Sequence, residues 1–131
     1  MIVIDASALL ELLLEETPAA DAVATRLFRQ GDTIHVPHLL DLEIANVLRR
    51  RALAGLIAVE RCRDALGDVG RLRLFRHPHN FLLARVWELR DNLSAYDAMY
   101  VALAEFLNAP LLTRDRRMAN AVGHRARIEL V

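Results

Sequence analysis

Five short runs punctuate this chain, each too brief for a helix and the first four each followed by a segment of helical length. Ile2-Val3-Ile4 is β-branched throughout and stops at Asp5, the pattern of a buried strand. Thr33 to Val36 ends against Pro37, Leu72 to Phe75 alternates, Pro110 to Thr113 is a fourth strand, and Arg127 to Leu130 is a last edge strand. Between them, helices are predicted over Ala8–Glu16, Pro18–Gln30, Leu39–Ala54, Val59–Asp68, His79–Arg90, Ala95–Leu107 and Asp115–Val122. Strands separated by helices leave little choice of architecture: an α/β domain with a mainly parallel central sheet of about five short strands, covered on both faces by helices.

Length sets the scale of that domain. With 131 residues, 54% of them hydrophobic, the chain suits a single domain spanning 1–131 with its own core. No stretch longer than eight residues lacks an acidic or basic side chain, so no membrane-spanning helix of about 20 residues is expected. No signal peptide is visible at the N-terminus, and a cytoplasmic location is expected. Cys62 is the lone cysteine, which excludes an internal disulfide and any paired-cysteine motif. All 17 basic residues are Arg, balancing 17 acids. Without lysine, neither a P-loop nor Schiff-base chemistry is open to this chain.

In parallel sheets, ligands collect outside the carboxyl ends of the strands. Asp5 follows the first strand directly and Asp115 follows Leu111-Leu112 by three residues. Glu43 and Asp97 lie early in helices that are otherwise apolar there; around Asp97 the neighbours Ala98, Val101, Ala102 and Ala104 leave almost no polar side. A carboxylate so placed is costly unless paired or bound to a metal, although an acid in a first turn also serves as a cap. Several carboxylates with no lysine or paired cysteine suit a hard cation with oxygen ligands, Mg²⁺ or Mn²⁺, and such ions promote phosphoryl displacement.

Four segments then carry a resemblance. Val-Ile-Asp-Ala-Ser at 3–7, Pro-His-Leu-Leu-Asp-Leu-Glu-Ile-Ala-Asn-Val-Leu-Arg-Arg at 37–50, Leu-Ser-Ala-Tyr-Asp-Ala-Met-Tyr-Val-Ala-Leu-Ala at 93–104 and Leu-Leu-Thr-Arg-Asp at 111–115 resemble, in this order and spacing, the PIN-domain ribonucleases. In size the chain resembles the toxins of VapBC toxin–antitoxin systems. The resemblance implies a metal-dependent endoribonuclease with acid ligands at Asp5, Glu43, Asp97 and Asp115. It implies polar helpers at Ser7, Asn46 and Thr113, and products bearing 5′-phosphate and 3′-hydroxyl ends. It also implies a homodimer and a VapB-like antitoxin whose C-terminal segment wraps the groove. An alternative keeps the fold without the reaction: an RNA-binding or regulatory module.

The remaining polar residues divide into surface and site. Arg49, Arg50 and Arg51 follow the Glu43 helix, and Arg114, Arg116 and Arg117 bracket Asp115; the arginine fork suits phosphate, so Arg49, Arg50, Arg114, Arg116 and Arg117 are candidate RNA contacts. His35 and His38, and His77 and His79, are expected to be exposed loop histidines rather than a zinc site. Asp41 is expected on the solvated side of its helix, Asp91 in a turn, and Cys62 inert. Tyr96, Met99, Tyr100, Leu103, Phe106 and Leu107 are expected to form the apolar face of their helix. Five leucines at Leu9, Leu10, Leu12, Leu13 and Leu14 exceed one helical stripe, so part of that surface is expected to be covered by another chain.

Overall fold

The computed structural model describes residues 1–15, 17–28 and 31–131. Five parallel strands, β1 (Ile2–Ile4), β2 (Ile34–Pro37), β3 (Leu74–His77), β4 (Leu111–Thr113) and β5 (Ile128–Leu130), form one sheet in the order β3-β2-β1-β4-β5. The helices are α1 (Ala6–Leu14), α2 (Pro18–Phe28), α3 (Leu39–Leu53), α4 (Val59–Arg71), α5 (Leu83–Glu88), α6 (Ala95–Leu107) and α7 (Arg116–Asn120), with a 3₁₀ turn at Asn80–Leu82. The expected α/β architecture is thus observed, with every pairing parallel.

β1 lies at the centre, and its three residues are fully buried. Burying side chains of this size stabilises by roughly 1.5–3 kcal/mol each. The chain leaves β1 towards β2 and β3 on one side, then crosses back to β4 and β5 on the other. The crevice beyond the C-terminal ends of β1 and β4 is therefore the switch point of the sheet, where ligands of such folds gather. Helix α6 packs behind it, buried continuously from Ala98 to Ala104.

Several boundaries differ from the sequence expectation. β3 runs Leu74–His77 rather than Leu72–Phe75, because its register is set by β2: Ile34 pairs with Leu74 and Pro37 with His77. α4 continues through Gly67 and Gly70 to Arg71, since Cys62, Ala65 and Val69 keep one face of it in the core. The helix expected over His79–Arg90 is instead the 3₁₀ turn followed by the short α5. α1 begins at Ala6, two residues early, and α7 is limited to Arg116–Asn120. The predicted ends at Glu16 and Gln30 lie outside the described residues.

Two packing expectations are corrected. Leu9 and Leu10 are buried and Leu12, Leu13 and Leu14 are partly buried against the core, because α1 is packed by α2, α3, α4 and β4 of the same chain. Much of the leucine surface of α1 is thus covered within the chain, while Leu12, Leu13 and Leu14 keep part of theirs exposed. On α6, Tyr96 and Phe106 are exposed, while the buried surface comprises Ala98 through Leu103 and Ala104, which wraps around most of the helix instead of following one stripe. Among the described residues, no helix is long and apolar enough to cross a membrane.

Candidate active site

A cleft of about 540 Å³ opens at the switch point, and Asp5, Glu43, Asp97 and Asp115 all line it. Four elements deliver them. Asp5 caps α1 from the end of β1, Glu43 stands in the second turn of α3, Asp97 in the first turn of α6, and Asp115 caps α7 after β4.

Asp5 is the most buried, only 4% exposed. Its Oδ1 accepts from the Ala8 backbone N–H at 2.9 Å and from the Ser7 hydroxyl at 2.7 Å, and its Oδ2 accepts from the Thr113 hydroxyl at 2.6 Å. Thr113 in turn accepts from the Asp115 N–H at 2.9 Å, and Ser7 accepts from the Arg114 N–H at 3.0 Å. One small network thus locks the ends of β1 and β4 together. Burial pushes the Asp5 carboxyl up, the three hydrogen bonds oppose that, and the Asp97 charge adds to the rise.

The Tyr100 hydroxyl donates to Glu43 Oε2, reaching from α6 to α3. Burial raises the Glu43 carboxyl, the Tyr100 hydrogen bond lowers it, and the charges of Asp97 and Asp5 raise it further. The same burial and the adjacent Glu43 carboxylate hold the Tyr100 phenol firmly protonated. Asp97 does not cap α6, contrary to the alternative role considered for it: Ser94 is the N-cap, and its hydroxyl accepts from the Asp97 N–H at 3.2 Å. The Asp97 carboxylate is left facing the cleft, raised by burial first and the Asp115 charge second. Asp115 uses Oδ1 to accept from the Arg117 N–H at 2.8 Å.

Three carboxyls raised together mean that gathering these charges is costly unless something positive is added. The cleft's donor set is oxygen only, with no imidazole or thiolate lining it among the described residues, and it therefore fits a hard divalent cation rather than a soft one. Among the described residues no three such groups are drawn into a ligating cluster, and three of the four acids accept from protein donors instead.

Arginines reach only part of this cleft. Arg50, Arg51 and Arg114 line it; Glu11 pairs with Arg114 at 3.0 Å and Glu15 with Arg51 at 3.6 Å. Arg49 instead lines a groove between α3 and α4, while Arg116 and Arg117 are exposed. Asn46 is exposed and lines a neighbouring cavity, which shares Glu43 with the acid cleft, rather than the acid cleft itself. Tyr100, Glu11, Glu15 and Arg51 were not among the sequence candidates. Ser7, Glu11 and Glu15 are spaced by four, a signal that puts them on one face of α1. Tyr100 follows Asp97 by three, which places both on one face of α6.

His38 is exposed in a turn, as expected, and His79 lies in a bend, but His35 and His77 sit on strands. His35 is buried on β2, only 8% exposed, and its ring stacks on Phe75. Its Nδ1 hydrogen-bonds His77 Nε2 at 2.9 Å across the β2–β3 pair, and its Nε2 hydrogen-bonds the Thr33 hydroxyl at 2.9 Å. The Leu39 N–H donates to His79 Nε2 at 2.8 Å, supplying the start of α3. The shift of β3 by two residues is the reason: it carries His77 into the sheet beside His35. Asp41 is not simply solvated but is gripped by Arg76 at 2.7 Å and 2.9 Å. Asp91 lies exposed in a turn, and the buried Cys62 thiol donates to the Leu48 carbonyl at 3.6 Å.

Comparison with known proteins agrees with this architecture. The PIN domain family model matches residues 2–123. Ribonuclease VapC9 of Mycobacterium tuberculosis is 47% identical over 120 residues, covering 92% of this chain and 90% of that protein. Ribonuclease VapC12 of the same organism is 41% identical over 131 residues, covering 100% and 99%. The solved structure of VapBC2 from Rickettsia felis, bound to a DNA fragment from their promoter, superposes with a TM-score of 0.72 at 16% identity, covering 99% of this chain and 98% of that one. With a family model spanning most of its length and relatives this similar end to end, the chain belongs to the PIN-domain family, in its VapC branch.

Proposed function

We propose that the chain is an endoribonuclease, the toxin of a toxin–antitoxin pair, acting in the cytoplasm on RNA phosphodiester bonds through Mg²⁺, with Mn²⁺ as a substitute. The observation that carries this reading is the convergence of Asp5, Glu43, Asp97 and Asp115, from four separate elements, on one oxygen-lined cleft at the switch point. The ribonuclease names of relatives matched along nearly the whole chain support it.

In this reading the four acids hold the ion, which when bound activates water and offsets the charge that develops on phosphorus during in-line displacement. The protein's own groups prepare the site. Ser7, Thr113 and the Ala8 N–H fix both oxygens of Asp5, and Tyr100 fixes one oxygen of Glu43. Arg114 and Arg51 stand on the cleft wall, where a polyanionic backbone needs positive charge to approach so many carboxylates. To bind phosphate they exchange their present partners, Glu11 and Glu15.

The partners proposed are an RNA substrate, a VapB-like antitoxin and a second copy of the chain. VapBC2 of Rickettsia felis supports the antitoxin by its name. Exposed apolar side chains support coverage by protein: Leu53, Leu56, Val59 and Leu66 around α3 and α4, with Trp87 and Phe106 elsewhere. Incubation of labelled RNA with Mg²⁺ or Mn²⁺, with and without EDTA, tests the activity. Cleavage giving 5′-phosphate and 3′-hydroxyl ends and abolished by EDTA is expected; metal-independent cleavage, or none, would overturn it.

A further inference from the structure

Next to the acid cleft lies a second cavity, of about 520 Å³, formed between α3 and the start of α6. The two adjoin: Ala6, Glu43, Val47 and Arg50 line both. Their chemistry differs. The remaining wall of the second cavity is mostly Leu39, Leu42, Asn46 and Tyr96, apolar and aromatic with one amide.

Tyr96 and Leu42 are 63% and 76% exposed. Tyr96 immediately precedes Asp97 in the first turn of α6, so its ring stands at the edge of the acid site. Every nucleobase has an apolar face that stacks on such a ring. The Asn46 amide carries both donors and an acceptor, the combination that reads a base edge. Arg50, at the junction of the cavities, is placed to meet the phosphate linking a base in one to a backbone in the other. A base inside a duplex cannot enter a concave pocket between two helices, whereas a splayed single-stranded base can.

We propose that this second cavity is a nucleobase subsite. It takes an unstacked base of single-stranded RNA, stacked on Tyr96 and read by Asn46, while the neighbouring phosphate lies in the acid cleft. This assignment rests on the nuclease reading above and adds to it the residues that hold a base beside the acid cleft and a place where sequence preference is set.

Binding is measured by fluorescence anisotropy with labelled eight-nucleotide homopolymers of A, U, C and G, in EDTA to prevent cleavage, alongside an abasic strand of equal length. Tyr96→Ala is expected to weaken binding of the homopolymers by roughly ten- to a hundredfold, the weight of one base–aromatic stack. Tyr96→Phe retains binding, the salt dependence of both variants stays that of wild type, and the abasic strand does not distinguish them. Asn46→Ala changes the ranking of the four homopolymers. Circular dichroism confirms that the variants are folded, as expected for substitutions at exposed positions.

Three results would overturn the subsite: Tyr96→Ala binding the homopolymers as wild type does, a loss that persists with the abasic strand, or wild type binding homopolymers no better than the abasic strand. Cleavage of total RNA in Mn²⁺ by wild type is followed separately. If wild type cleaves and any of those three results is found, the subsite alone fails; if wild type neither cleaves nor binds RNA, the nuclease reading fails with it.

Discussion

The C-terminal end of the sheet carries two clusters of titratable side chains, one at the centre and one near the edge, that handle charge in opposite ways. At the centre, Asp5, Glu43, Asp97 and Asp115 bring groups of one sign together, and burial raises three of them. Near the edge, the imidazoles of His35 and His77 bond each other, and His79 Nε2 accepts a backbone N–H. The histidine cluster satisfies itself; the acid cluster faces an open cleft, with arginines only on its walls. Perturbed titration marks a functional site when the groups share a sign and face a cavity, and marks structure when they neutralise one another's needs.

The largest expected effect tests the acid half of that contrast. Asp97→Asn keeps size and hydrogen-bonding capacity but removes one charge, so RNA cleavage falls by orders of magnitude. The metal-free variant melts no lower than wild type, because one source of repulsion is gone. Mn²⁺ raises the melting temperature of wild type and raises that of the variant much less. Near-wild-type cleavage by Asp97→Asn would remove the four-acid assignment.

Next in size is Tyr100→Phe, which tests whether the acids need a supporting partner. Losing the hydrogen bond that fixes Glu43 is expected to weaken Mn²⁺ binding about 10- to 100-fold, the usual weight of a group behind a metal ligand. Isothermal titration calorimetry measures it, and unchanged affinity would confine Tyr100 to packing.

The histidine half is tested through stability. His77→Phe leaves the buried His35 Nδ1 without its partner, which is expected to cost about 1–3 kcal/mol at neutral pH while sparing cleavage. pH should separate the two clusters further. Burial and the neighbouring His77 lower the His35 pKa, so the unfolded chain takes up protons first as pH falls through its ordinary value of 6.5. Stability from this cluster is therefore lost as pH drops below that value. The raised carboxyls act the other way: their contribution is present at acid pH and lost as pH rises through their folded-state values. Urea unfolding at pH 7.0 and 5.5 checks this, and His77→Phe should show a shallower loss on acidification than wild type.

The smallest effects belong to the outlying arginines. Replacing exposed Arg116 or Arg117 with Ala should reduce the salt slope of RNA binding by about 1 each if they meet phosphate. Stability should change by no more than about 0.5 kcal/mol. An unchanged slope leaves them as solvated surface.

Much of this arrangement is legible in the sequence, for physical reasons that differ by element. Asp5 and Asp115 are readable because a strand end at a switch point is a fixed address, and Glu43 and Asp97 because a carboxylate amid alanine and leucine needs an explanation. Tyr100 was absorbed into an apolar face: its partner Glu43 lies 57 residues away on another helix, a contact that no local pattern encodes. β3 was misplaced because alternation at Leu72–Phe75 is a weak signal, whereas the register is decided by pairing with β2. That two-residue shift also hid the histidine cluster.

Asp5 and Asp115 have a second occupation besides facing the cleft: each caps a helix, and the cap needs only a side-chain oxygen that accepts from a backbone N–H. Asparagine supplies that oxygen nearly as well as aspartate. At Asp115, whose cap bonds use Oδ1 alone, a single replacement separates the two demands, whereas at Asp5 the second oxygen is also engaged by the Thr113 hydroxyl. On the proposed nuclease reading, a lineage carrying this chain stands one substitution at Asp115 from a folded copy with an impaired site, and the expected outcome is lost cleavage with an unaltered outer surface. Such a copy would compete with the active form for whatever binds that surface.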